Sequence, residues 1–369
     1  MYFPIKFHKP KCMIYIILCF TFPLINWKFV RPKIKSEFFI SIVFQLFLKH
    51  IFITFAIFIY LYQKKMYEKT QYQSNEDNEI IDLKYYKILP IIICGVFSYI
   101  LSDVSYYDIF YSYQMKKMNL ELIANFEMIS LFISHVFNEK YFLNSKQYIH
   151  HYISIGLIIL FLIIIIIIES LNTININFIS FIFVILLSLE SMYLYSVIYV
   201  IVKILNYQYF MNISLLLFIL GIFGILILLI FDFFYVFIFN YDSKFIFKIG
   251  KINSETLIKD IIFLIIYRIN SFFNLFFNFK IIEELNPSYT LISYGLYNII
   301  QVIINKELEL NIKNILYILS LFLFCIYLEI ITFNFCKLDK NTQYEISKRA
   351  ENSTNELIIT SEESLNSTN

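Results

Sequence analysis

The chain has 369 residues, 59% hydrophobic and 16% charged, with a mean hydropathy of +0.69. A soluble domain of that size would need a far more polar surface, and a net charge of +2 provides no basic field to hold nucleic acid. Uncharged runs such as 153–168 cover the length needed to enter a hydrocarbon core of about 30 Å, so the class is an integral membrane protein.

In chain order, apolar segments separated by short polar breaks predict helical spans at about 13–30, 38–62, 86–106, 118–137, 147–169, 176–204, 209–239, 256–280, 286–305 and 313–336. The breaks hold the charges: Lys28 to Glu37, Gln63 to Lys84, Asn138 to Lys146, Asp242 to Glu255 and Lys306 to Lys313. The first span follows Lys6, Lys9 and Lys11 as a secretory signal would. It runs into Trp27, Lys28 and Arg31 without a small-residue cleavage site, and so reads as a retained helix. Ten spans put both ends of the chain on one face, and the balance of lysine and arginine favours the cytoplasmic one. Residues 337–369 are polar, lack an apolar pattern and read as a disordered tail. Cys12, Cys19, Cys94, Cys325 and Cys336 show neither CxxC nor metal-ligand spacing, and read as small buried hydrophobes.

The chain also repeats itself. At an offset of 167 positions Asn119 meets Asn286, Asn138 meets Asn305, Leu143 meets Leu310, Asn144 meets Asn311 and Lys146 meets Lys313, without a gap. Each copy is a helix ending in a charged turn, Asn138-Glu139-Lys140 or Asn305-Lys306-Glu307, followed by another apolar helix. Five spans per half, an odd number, bring the second half into the bilayer upside down. The expected fold is therefore all-α, with about ten transmembrane helices in two inverted five-helix repeats, 1–170 and 171–336. Carriers of this design bind substrate near the midplane, where the halves meet.

At this point the chain resembles the drug/metabolite transporter superfamily, which includes the EamA-type exporters and the nucleotide-sugar transporters of solute carrier family 35. The resemblance rests on the charged turns Phe137-Asn-Glu-Lys-Tyr141 and Asn305-Lys-Glu-Leu-Glu309 closing spans four and nine. Asn286-Pro287-Ser288 opening span nine and Val202-Lys203-Ile204-Leu205 ending span six add to it. Ser188–Lys203 lacks the full FSG-type motif of many nucleotide-sugar carriers. The resemblance implies transport by exchange and a Golgi or endoplasmic-reticulum membrane, with another organelle or the plasma membrane as the alternatives.

Candidate binding residues follow from polar groups inside apolar helices, which are retained in lipid only when they face the bundle. Glu127, Ser134 and Asn138 share one face of span four, at i, i+7 and i+11; Tyr294, Gln301 and Asn305 repeat the pattern in span nine, with Asn298 between. Span eight aligns Tyr267, Ser271, Asn274 and Asn278 beside Arg268. Lys49 and His50 lie mid-span in the second helix; with Arg268 they could hold an anion, or be neutralised by Asp103, Glu121, Glu127, Glu190 or Asp232. Ser98, Ser102 and Ser105 read as packing. Gly221 and Gly224 read as a close helix contact, and His150 and His151 as solvated interfacial groups.

The function expected is secondary transport of a small polar metabolite, first a nucleotide sugar or related phosphorylated metabolite by exchange. The alternative is proton-coupled carriage of an amino acid, peptide or organic cation. No HExxH, nucleophile motif or Cys/His cluster supplies catalytic groups, so neither an enzyme nor a cofactor is expected. The partners are substrate and bilayer, with a homodimer left open.

Overall fold

A computed structural model describes residues 10–26, 29, 42–71, 85–111, 120–145, 147–171, 178–239, 254–304 and 312–330. Every regular element among them is a helix: α1 (Pro10–Ile25), α2 (Ile42–Thr54), α3 (Ala56–Gln71), α4 (Tyr85–Tyr111), α5 (Leu120–Phe142), α6 (Ile149–Leu171), α7 (Phe178–Tyr209), α8 (Ile213–Phe239), α9 (Ser254–Glu284), α10 (Thr290–Ile304) and α11 (Ile312–Tyr327). The polar tail and the second charged turn, Asn305-Lys306-Glu307, lie outside the described residues.

The helices sort their side chains for lipid. On α6, Ile158, Leu162 and Ile165 are 0% exposed, while Ile149, Ile153, Leu160 and Ile167 on the opposite side are each at least half exposed. An apolar outer face repeated over several helices would drive association in water; in a bilayer it is the solvated surface. Five described helical stretches, in α2–α3, α6, α7, α8 and α9, are long and apolar enough to cross a membrane, and shorter apolar ones lie in α1, α4 and α11. The chain is an all-α, multi-pass membrane protein.

Two departures from the expected spans have local causes. The second span is two helices broken at Phe55, where Phe55 N–H bonds back to the Phe52 carbonyl at 3.2 Å and Phe58 N–H to that of Phe55 at 3.1 Å. These i→i−3 bonds tighten the turn and interrupt the α ladder. The ninth span opens on a 3-10 turn at Pro287–Tyr289, with Pro287 in the opening position where its missing N–H costs nothing; the Thr290 hydroxyl then donates to the Pro287 carbonyl at 2.7 Å where α10 starts.

Helix α1 packs on α9 and α10, as an integral element of the bundle. Elsewhere α4 packs on α7 and α8, α5 on α7 and α6, α2 on α8 and α9, α6 on α11, α10 on α11, and α7 on α9. Two apolar clusters result. One gathers Leu46, Val96, Tyr199, Leu217 and Phe279 from α2, α4, α7, α8 and α9. The other gathers Ile16, Phe132, Leu162, Leu291 and Phe324 from α1, α5, α6, α10 and α11. Each cluster draws on both halves of the chain.

Candidate functional site

Polar side chains are set among these apolar ones. Lys49 on α2 donates to both carboxylate oxygens of Asp103 on α4, each at 2.7 Å, and its ammonium sits 4.5 Å from the centre of the Tyr99 ring. Asp103 was one of the neutralising partners anticipated from sequence. Lys49 is therefore committed to a carboxylate and does not stand open with His50 and Arg268 as an anion clamp. His50 is 0% exposed, edge-on to Tyr99 with ring centres 5.6 Å apart. Arg268 is 2% exposed on α9, with its guanidinium 5.3 Å from the Tyr267 ring. Glu190 is exposed on α7 and so is no internal partner; the side chains of Glu121 and Asp232 lie outside the described residues.

The α2–α8 crossing depends on glycine. A Cβ on Gly224 would come within 2.1 Å of His50 Nδ1, and one on Gly221 within 2.8 Å of the Thr54 backbone nitrogen. Gly221 and Gly224 sit i, i+3 against His50 and Thr54 at i, i+4, so the two backbones meet on matching faces.

Between α1 and α9, the Cys19 thiol donates to Asn274 Oδ1 at 3.1 Å and to Asn278 Oδ1 at 2.8 Å. Asn26 Nδ2 donates to the Tyr267 carbonyl at 3.3 Å and Asn270 Nδ2 to Asn26 Oδ1 at 2.9 Å. The asparagine stripe of span eight thus faces α1. Cys19 is buried as expected and hydrogen-bonded as well, whereas Cys94, also expected to be buried, is exposed on α4. Tyr195 and Tyr199 of α7 make an edge-to-face pair, centres 4.9 Å apart; Tyr294 of α10, Cys19 and Glu127 lie within electrostatic reach of this pair or of one another.

Toward the end of α5 a hydrogen-bonded group joins α5, α7 and α10. Ser196 Oγ lies 2.8 Å from His135 Nδ1 and accepts from Asn138 Nδ2 at 2.9 Å, while His135 Nε2 lies 3.5 Å from Thr290 Oγ1. Ser134 is buried beside it at 8% exposure. One residue on, buried Glu139 accepts the Ser288 N–H at 2.7 Å, placing a carboxylate at the head of the turn that starts α10. Lys203 of α7 donates to the carbonyls of Ile282, Glu283 and Leu285 at 3.0, 3.2 and 2.5 Å, which caps the C-terminus of α9.

Glu139→Leu should strand the Ser288 donor and cost about 1–3 kcal/mol, the usual penalty for a buried unpaired group. Glu139→Gln keeps an acceptor and should lose much less. Thermal unfolding of the two variants in detergent checks this.

The same face carries a polar cavity of about 60 Å³, lined by Glu139, Gln147, His151, Asn286, Tyr289 and Glu329 among others. His150, His151 and Glu329 hold possible ligand atoms within 4.8 Å of one another. His151 Nδ1, however, accepts the Tyr148 N–H at 2.9 Å, so the neutral ring keeps its proton on Nε2, 3.3 Å from Glu329 Oε1. A metal-bearing histidine donates from its second nitrogen, the reverse of this arrangement. His151 caps the start of α6, its Nε2 lies beside the Glu329 carboxylate, and it is buried at 5% exposure rather than solvated as expected. Glu329, at φ 56, occupies the left-handed position closing α11 where glycine is usual.

Of the residues proposed from sequence, His50, Ser134 and Arg268 are buried, and Lys49, Glu127, Asn274 and Tyr294 are half-buried. The side chains of Asn298 and Gln301 lie outside the described residues. The Ser102 hydroxyl donates to the Ser191 carbonyl at 2.8 Å and the Ser191 hydroxyl returns to that of Ser102 at 3.0 Å, the packing role expected. His135, Ser196 and Lys203 join the site although none was singled out as a binding residue.

No family model and no curated protein matches the sequence. A solved crystal structure, described only as that of a protein, is similar over 86% of this chain and 96% of its own, with a TM-score of 0.56 at 8% identity. Likeness at that identity concerns the fold alone.

Proposed function

We propose that the chain is a secondary transporter of the drug/metabolite type, in which two inverted halves of five spans alternate access to a polar interior. The observation that carries the reading is the pattern of helix packing. Exchange each span for the one five further on, α1 for α7, α2–α3 for α8, α4 for α9, α5 for α10 and α6 for α11. The α4–α7 packing becomes α9–α1, α5–α7 becomes α10–α1, α5–α6 becomes α10–α11 and α2–α9 becomes α8–α4, while α2–α8 and α6–α11 return to themselves; each is present. The α7–α9 packing has no counterpart of like extent between α1 and α4. A carrier closed on one face requires an inequality of that kind. Lys203 and Glu139, at the ends of α7 and α5, fit the closed face.

The cargo is a small polar metabolite. A nucleotide sugar or related phosphorylated metabolite, exchanged across a Golgi or endoplasmic-reticulum membrane, is the reading from resemblance, with Arg268 as its cation. One observation favours the second reading, a proton-coupled carrier of an amino acid, peptide or organic cation: Lys49 is neutralised by Asp103, while Glu127 Oε1 is buried without a partner. Purified protein in liposomes should show counterflow of a labelled UDP-, GDP- or CMP-sugar, or gradient-driven uptake of a cargo from the second class. A metabolite comparison between loaded and empty vesicles that finds no difference rejects both.

A further inference from the structure

The polar cavity beside the end of α5 is walled by two separate stretches of the chain. Glu139, Gln147 and His151 come from the close of α5 and the opening of α6; Asn286, Tyr327 and Glu329 come from the approach to α10 and the close of α11. Its volume of about 60 Å³ is room for more than one water.

The charges in this wall do not balance. It carries two carboxylates, Glu139 and Glu329, and among the described residues neither lysine nor arginine. His151 cannot make good the difference without losing a bond, because its Nδ1 accepts the Tyr148 N–H at 2.9 Å and a second proton there would displace that donor. His150 approaches Glu329 at 3.4 Å but forms no part of the wall. Lys203 is within electrostatic reach of Glu139, yet its ammonium is turned to the carbonyls that end α9.

Neutral groups at the same place also lack partners. Gln147 has both amide atoms sealed from solvent without a hydrogen bond. The Ser288 hydroxyl, in the 3-10 turn that carries Tyr289, makes none either, at 1% exposure. Folded proteins satisfy such groups with a water or a ligand. Water alone would leave the two carboxylates uncompensated.

A metal is the wrong cation here. The atoms within 4.8 Å of one another belong to His150, His151 and Glu329, and Glu139 is not among them. The Nε2 proton of His151 also stands where a metal would bind. An ammonium needs no such convergence, since its three N–H donors point apart and each reaches its own acceptor.

We propose that this cavity binds a primary ammonium group, held by the carboxylates of Glu139 and Glu329 and by the Gln147 carbonyl oxygen. A bound ammonium would tie the α5–α6 turn to the end of α11. Two sources share the chemistry, a free alkylamine in water and the amino headgroup of a phospholipid. Tyr141, Phe142, Ile149 and Tyr152, at the same helix ends, are exposed as residues at a membrane interface are, so both sources have access. The site goes beyond the transporter reading and stands whether or not the bundle carries cargo.

Thermal unfolding of the purified, full-length protein tests it. In detergent, methylammonium chloride should raise the midpoint in a saturable way, while tetramethylammonium and sodium chloride at matched ionic strength should not. In nanodiscs, phosphatidylethanolamine should raise it relative to phosphatidylcholine if the headgroup is the source. Glu329→Gln should weaken either response about tenfold or more, the loss of one charge-assisted hydrogen bond. Gln147→Leu takes its place if that variant does not fold. A response to one source alone identifies the natural ligand. Equal shifts with tetramethylammonium or sodium, or shifts that survive both substitutions, overturn the proposal. So does the absence of any shift with methylammonium and phosphatidylethanolamine alike, which leaves a cavity filled by water.

Discussion

Gly224→Ala should be among the most damaging single substitutions in this protein. The added methyl would lie 2.1, 2.3 and 2.6 Å from Nδ1, Cε1 and Cγ of His50. The overlap reaches back to the root of the ring, so a swing of the side chain does not clear it, and Tyr99 stands edge-on to the same ring. Overpacking of this kind costs about 1–3 kcal/mol or more, against a helix-propensity gain of about 1 kcal/mol for alanine over glycine. The variant should lose its monodisperse peak on heating well before wild type does. His50→Ala in the same chain should restore much of the loss, because it removes the atoms in conflict. Failure of that rescue would mean that the α2–α8 crossing is not as close as described.

Asp103→Asn should be damaging for an electrostatic reason. It leaves the Lys49 ammonium, with an 18% exposed side chain, without its carboxylate. Removing one partner of a buried pair costs about 3–5 kcal/mol, whereas replacing both by apolar groups is often neutral. Residual exposure of Lys49 puts the expected loss at the lower end. The double substitution Lys49→Met with Asp103→Leu should therefore unfold closer to wild type than Asp103→Asn alone. If that single variant is as stable as wild type, Lys49 has another anion to hand, and its removal from the anion-binding set must be reconsidered.

Much of the architecture was legible because lipid enforces a simple rule: backbone polar groups must pair within the helix, so apolar length reads directly as span. The inward stripe Glu127, Ser134, Asn138 was legible for a related reason, since polar groups at helical spacing must turn from the hydrocarbon. Gly221 and Gly224 marked a close crossing correctly. What sequence could not supply was partnership across the fold. Asp103 was one of five acids that could have met Lys49, and only the α2–α4 arrangement selects it. Cys19 reaches Asn274 and Asn278 more than 250 positions away, and nothing local to it announces a hydrogen-bonding role. Lys203 looked like the end of a span; its three carbonyl partners belong to α9. His135 escaped notice because Ser134, its neighbour, already filled the stripe, and a helix face about 100° wide takes in both.

The most direct test of two upside-down halves closing around a wetted interior is chemical labelling at Ser134. In a chain with the native cysteines replaced, Ser134→Cys should resist a membrane-impermeant thiol reagent while the α5–α7–α10 group is closed. It should become reactive once cargo cycling, or loss of the Glu139–Ser288 hydrogen bond in Glu139→Leu, opens that face. A cysteine there that no reagent reaches from either side, in any condition, would leave the interior as ordinary helix packing and contradict the account.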